Sequence, residues 1–174
     1  RVDNKFVSLY CMELSKPRFD VLCKTYSADK FVKPYNLSSI SSKEFPSELN
    51  VIDFYNNTPT KLNNAKLKTV LGWYRTDLDY IQKSNNDRNG IEFIKQDQSI
   101  NQFDMVLIDG SEFTGERELD YTIGAKVIAL DDTETYKCHA ALQRLIHDPN
   151  YRLITHQPDV RNGYAIFARN DFLF

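Results

Sequence analysis

Three aspartates stand where two apolar runs of this chain break off. FDMVLIDGSEF at 103–113 and AKVIALDDTE at 125–134 are both strand-like, and they end in acidic residues at Asp109 and at the pair Asp131 and Asp132. In an open α/β sheet the carboxyl ends of the strands form the ligand crevice, so the three carboxylates are expected to converge on one rim. Carboxylates that close repel one another unless one is protonated or a cation bridges them. An all-oxygen donor set selects a hard divalent ion such as Mg²⁺ or Ca²⁺ over zinc. Such an ion keeps waters that a hydroxyl-bearing substrate can displace, and it lowers the pKa of the bound hydroxyl. The plain alternative is that each aspartate caps the helix after it; two strand ends in tandem, one carrying an Asp pair, favour function. Glu13, in YCMELSKPRF, is a further acid between a strand and a helix. Nucleotide-binding folds set a carboxylate there against ribose hydroxyls, and the alternative is a capping or solvent-facing glutamate.

The elements that must position these residues read as an α/β fold. KFVSLYC at 5–11 reads as a buried strand, and Ser15 with Pro17 opens a helix through Phe19, Leu22, Cys23 and Tyr26. FVKPYN at 31–36 is a short strand that Pro34 confines to an edge. Residues 37–88 read as an insertion or lid: a Ser- and Asn-rich stretch with a helix over 47–55, then an amphipathic helix carrying Leu67, Val70, Leu71, Tyr74, Leu78 and Ile81. A helix over 89–100 and a strand over 103–109 follow, then a helix over 115–121, a strand over 125–131 and a helix over 135–147. Strands at 151–155 and 163–168, joined by HQPDVRNG, are expected to pair as an antiparallel hairpin. Trp73 and Tyr80 lie at helical spacing and read as core, with an aromatic wall over a substrate as the alternative. His139, His147 and His156 have no metal-ligand spacing.

The 174 residues suit one domain, and a net charge of -2 with both signs interspersed gives no field for nucleic acid or an anionic membrane. Small-molecule partners fit better. No apolar run approaches the roughly 20 residues that cross a bilayer. Cys11, Cys23 and Cys138 are odd in number, widely spaced and set within apolar patterns, which predicts buried thiols in a reducing, cytoplasmic setting. The chain opens at Arg1 and enters strand-like sequence within a few residues, as if cut inside a fold.

IDGSE at 108–112 and LDD at 130–132 resemble class I S-adenosylmethionine-dependent methyltransferases, in particular the metal-assisted O-methyltransferases of small molecules, whose fourth strand reads like IDGxH and whose fifth reads like LDD. The resemblance spans residues 5–169. It implies a Rossmann-like sheet, mostly parallel with a C-terminal antiparallel hairpin, in which 5–11 is like the second strand and 31–36 like the third. It implies methyl transfer from S-adenosylmethionine to a hydroxyl of a small acceptor such as a sugar. Asp109, Asp131 and Asp132 then become ligands for a metal such as Mg²⁺, and Glu13, Ser38, Asp109 and Ser111 line the cofactor pocket. Asp109 and Glu112 are the catalytic pair, Glu112 standing where relatives carry a His or Lys as general base.

No Gly-rich first strand and loop precedes Glu13, and none of the glycines at 72, 90, 110, 115, 124 and 163 has GxGxG spacing. The first strand of that sheet is therefore expected to be missing or degenerate. The rival to the enzyme is a non-catalytic binding or assembly module that recognises a partner through the insertion. A missing central strand leaves two unpaired edges. Pairing 5–11 with 103–109, or a strand from another copy in a homo-oligomer, would close that gap. A nucleotide-binding enzyme of another chemistry shares Glu13 but leaves the LDD pair unexplained.

Overall fold

The computed structural model describes residues 8–172. Strand β1 (Leu9–Met12) leads through Ser15 into helix α1 (Lys16–Thr25), with Pro17 in the first turn, where an amide N–H would lack a partner in any case. Strand β2 (Val32–Tyr35) pairs parallel with β1, Leu9 opposite Val32. The part of the expected 5–11 strand before residue 8 lies outside the described residues.

The insertion carries α2 (Glu48–Asn57), capped by the Ser47 side chain, and α3 (Leu67–Lys83), followed by α4 (Gly90–Asp97) capped by Asn89. The remaining elements are β3 (Met105–Ile108), α5 (Gly115–Thr122), β4 (Val127–Asp131), α6 (Tyr136–His147), β5 (Tyr151–Gln157) and β6 (Tyr164–Arg169). Each predicted helix and strand has its counterpart, with ends moved by one to four residues. The terminal hairpin forms as expected, and β6 inserts between β4 and β5 to give the order β3-β4-β6-β5. Gly163 makes its tight turn at φ +85°, and a Cβ there would meet Thr133 Oγ1 at 2.5 Å.

Two expectations change. Among the described residues the strands form two sheets rather than one, and the sheet is not mostly parallel: β1–β2 and β3–β4 are parallel, while β4–β6 and β5–β6 are antiparallel. Among the described residues the first strand does not pair with 103–109 either. Side chains, not a backbone ladder, join the small sheet to the rest. Lys33 Nζ donates to Gln98 Oε1 at 2.6 Å and Tyr35 OH to Asp97 Oδ2 at 2.6 Å. Two edge strands carry features that discourage further pairing, Pro34 on β2 and a bulge between Leu153 and Thr155 on β5. The other two leave Leu9 and Met12 of β1, and Met105 and Leu107 of β3, exposed.

Two apolar clusters hold the chain together. One sets Ile128, Leu130 and Phe167 of the larger sheet against Leu119 of α5 and Leu142 and Leu145 of α6. The other packs Val51, Leu62, Val70 and Tyr74 of the insertion around Phe113, from the loop after β3, and so fastens the insertion to the carboxyl end of the sheet. The α3 aromatics divide: Tyr74 is buried, whereas Trp73 and Tyr80, read as core from their spacing, are 46% and 49% exposed. The stripe Leu67, Val70, Leu71, Tyr74, Leu78 and Ile81 is buried or half-buried throughout, and the two exposed rings lie outside it. No helix among the described residues is long and apolar enough to cross a membrane. All three cysteines are free, Cys138 buried and the other two half-buried.

Candidate functional site

Because β3 and β4 run parallel with Ile108 opposite Leu130, Asp109 leaves its strand beside Asp131. The carboxylates of Asp109, Asp131 and Asp132 each bring an oxygen within 4.8 Å of the others. Lys137, from the first turn of α6, inserts its ammonium between them, 2.9 Å from Asp109 Oδ1 and 2.7 Å from Asp132 Oδ2. Burial by itself would depress the Lys137 pKa, but hydrogen bonds to Asp132 and Asp109, reinforced by their charges, raise it above the ordinary lysine value. One ammonium against three carboxylates leaves the rim negative. The Asp131 pKa is accordingly raised, by burial first and then by the charges of Asp132 and Asp109.

Asp132 is the most constrained member. It sits at φ +54°, a left-handed conformation that only Gly, Asn and Asp visit readily. It is buried, yet its Oδ1 finds no hydrogen-bond partner among the described residues. Strain and an orphaned polar atom both cost stability, and they coincide at the residue the sequence singled out. The fold holds it there from both sides: Thr135 donates to the Asp132 carbonyl through its amide at 3.3 Å and its hydroxyl at 3.1 Å, and the Thr133 amide donates to the Gly163 carbonyl at 3.2 Å.

Glu112 lies in the same cluster, its Oε1 accepting from the Lys137 amide at 3.3 Å. Burial raises its pKa, opposed by a hydrogen bond with Thr135 and the charge of Lys137. The other sequence-named residues do structural work. Glu13 Oε1 accepts from the Ser15 amide at 2.7 Å, a local bond just ahead of α1. Ser111 Oγ donates to Asp77 Oδ2 of α3 at 2.5 Å. Ser38 is buried against Gly90, where an added Cβ would collide with the Ser38 carbonyl. No hydrogen bond or ion pair among the described residues ties Glu13 or Ser38 to the aspartates.

Three further residues emerge only from the structure. Lys137 could have been suspected, because it falls on the apolar stripe of α6 with Cys138, Ala141 and Leu145, and because a cation in a helix's first turn opposes the macrodipole unless carboxylates face it. Glu118 is buried under Gly110 and accepts from Ser39 Oγ at 2.6 Å and Thr114 Oγ1 at 2.7 Å. Its pKa is raised by burial in spite of those bonds. Asp77 anchors α3 over the rim. Tyr74 meets Phe113 edge-on at 5.4 Å, Asp77 holds Ser111, and beyond the helix Asn86 Nδ2 donates to Asn36 Oδ1 at 3.2 Å. Asn36 in turn donates to the Glu13 carbonyl at 2.7 Å. Helix α3 with the turn after it thus roofs the rim from the end of β3 to the ends of β1 and β2.

The orphaned Asp132 Oδ1 and the three converging carboxylates fit a hard divalent ion. Lys137 is the charge such an ion would have to share the cluster with. For S-adenosylmethionine the described residues hold no Gly-rich turn, and Glu13, which the resemblance assigns to the ribose, is engaged with the Ser15 amide. The chain matches no protein-family model and no curated protein.

Proposed function

We propose that the rim carries out S-adenosylmethionine-dependent methyl transfer to a hydroxyl of a small molecule, with a divalent ion held by Asp109, Asp131 and Asp132 on a Rossmann-like sheet. One observation carries the reading: a buried, left-handed Asp132 with an unpartnered Oδ1 stands in a carboxylate cluster at parallel strand ends. The closing pair β5–β6 supports it as well, since the resemblance implies an antiparallel hairpin there.

The cofactor would supply the methyl group when bound, and the resemblance assigns its ribose hydroxyls to Glu13. The chain's own residues set up the acceptor. Asp109 and Asp131 on the rim are positioned to orient a hydroxyl, by hydrogen bonds or through the ion. Lys137 bridges Asp109 and Asp132 and holds the two carboxylates at fixed separation. Glu112, whose pKa is raised by burial, takes the hydroxyl proton on its carboxylate.

Calorimetric titration with S-adenosylhomocysteine, with and without Mg²⁺, tests this without knowledge of the acceptor. Micromolar binding, tightened by Mg²⁺, is the expected result. A folded protein that binds neither the nucleoside nor the ion overturns it. The second reading, a non-catalytic binding or assembly module, is favoured by the Lys137 ammonium already bridging Asp109 and Asp132, and by Ser111 being engaged with Asp77.

A further inference from the structure

Lys137 does more to the rim than hold two carboxylates apart. Its ammonium is buried 2.9 Å from Asp109 Oδ1 and 2.7 Å from Asp132 Oδ2. Half of the Asp109 side chain is nevertheless exposed, and its Oδ2 has no partner among the described residues. A carboxylate with an ammonium on one oxygen and nothing on the other can take up an anionic group on the free oxygen, where the ammonium meets the added charge. Asp132, which shares the ammonium, is buried with its Oδ1 unpartnered. In the turn directly after Asp109, the amides of Gly110, Ser111 and Glu112 donate to no acceptor among the described residues. Successive backbone N–H groups in a turn suit anions, and Gly110 is exposed with no side chain to keep a ligand off that backbone.

We propose that Asp109 is a phosphoryl acceptor: its Oδ2 attacks the phosphorus of a small acyl phosphate, and the rim carries the resulting aspartyl phosphate. A carboxylate nucleophile of this kind needs a fixed cation and hydrogen-bond donors for the phosphoryl oxygens. Lys137 is the cation, and the amides of residues 110–112 are the donors. The step balances without a proton. A bond forms between Asp109 Oδ2 and phosphorus, the bond from phosphorus to the donor's carboxyl oxygen breaks with its electron pair, and the donor leaves as a carboxylate. Water then hydrolyses the mixed anhydride and returns the Asp109 carboxylate and inorganic phosphate. Asp109 is the acceptor because it alone of the three aspartates is exposed, Asp131 being half-buried and Asp132 buried. The phosphoryl group adds negative charge to an acidic rim, and a divalent ion fitted by Asp131 and Asp132, whose oxygens lie within 4.8 Å of an Asp109 oxygen, offsets it. Apart from that ion nothing in this activity depends on methyl transfer, since it needs neither the nucleoside nor an acceptor hydroxyl.

The test incubates the full chain with acetyl phosphate and Mg²⁺ and reads its intact mass. One added phosphoryl group per chain is expected, labile to hydroxylamine as an acyl phosphate is. Borohydride reduction followed by peptide sequencing should place it at position 109, and Asp109→Asn should lose it. Beryllofluoride, which mimics a phosphoryl group on a carboxylate, should raise the melting temperature of the wild type in Mg²⁺ and leave that of Asp109→Asn unmoved. Where the variant folds poorly, the position marked by borohydride in the wild type decides alone. A beryllofluoride shift that Asp109→Asn loses supports the proposal even without a lasting adduct, because hydrolysis removes one. No adduct together with no beryllofluoride shift overturns it, as does a hydroxylamine-stable adduct or one at any other position. S-adenosylhomocysteine binding with neither adduct nor shift defeats this activity only; an adduct at position 109 without nucleoside binding supports it and defeats the transfer reading.

Discussion

The Lys137 ammonium lies 2.7 Å from Asp132 Oδ2, so a cation supplied by the chain itself neutralises the most buried aspartate of the rim. The pair is shielded, with side-chain exposures of 9% and 13%. Its loss would leave a buried charge uncompensated rather than merely delete one contact.

Lys137→Met is therefore expected to destabilise the protein by about 3 kcal/mol, read as a lower urea midpoint. Mg²⁺ should restore more stability to this variant than it adds to the wild type, because the ion then has no ammonium to compete with. An unchanged midpoint would show that the ammonium contributes no net stability.

Asp132→Asn keeps a residue type that tolerates φ +54° while removing the charge. The fold should persist, and any Mg²⁺-induced rise in melting temperature should disappear. A shift equal to that of the wild type would locate the ion elsewhere.

Glu118 gives a pH dependence of definite sign. Burial raises its pKa above the ordinary glutamate value despite the Ser39 and Thr114 hydrogen bonds. A group whose pKa is raised on folding stabilises fully below its unfolded pKa, and that contribution is lost as pH rises through the folded value. Stability should fall from acid towards neutral pH over that interval, and Glu118→Gln, which keeps an acceptor oxygen, should flatten the fall. Glu112 and Asp131 are raised in the same direction, so the difference between wild type and variant in denaturant melts across pH isolates Glu118.

Gly163→Ala sets a Cβ 2.5 Å from Thr133 Oγ1 at a left-handed backbone position. Strain of about 1–2 kcal/mol is expected from the backbone conformation, with further loss from the clash. Because the Gly163 carbonyl holds the Thr133 amide next to Asp132, the variant should also weaken Mg²⁺ binding, as measured by calorimetry.

The sequence by itself determined the elements and their order, because caps, breakers and apolar period act within one or two turns of chain. Ser15 and Pro17 mark the start of α1, and Asn162-Gly163 turns the final hairpin. It also determined that Asp109, Asp131 and Asp132 would meet, since each acid follows the last apolar residue of a strand and parallel neighbours end together. Tertiary structure alone decided that Lys137, on a later helix, fills the space between them, and that Ser111 bonds to Asp77. It also decided that β1 and β3 do not pair with each other and that Trp73 and Tyr80 stay half exposed. The physical reason is that burial and charge pairing depend on which surfaces meet. A local pattern cannot assign a side chain to a partner on a distant element.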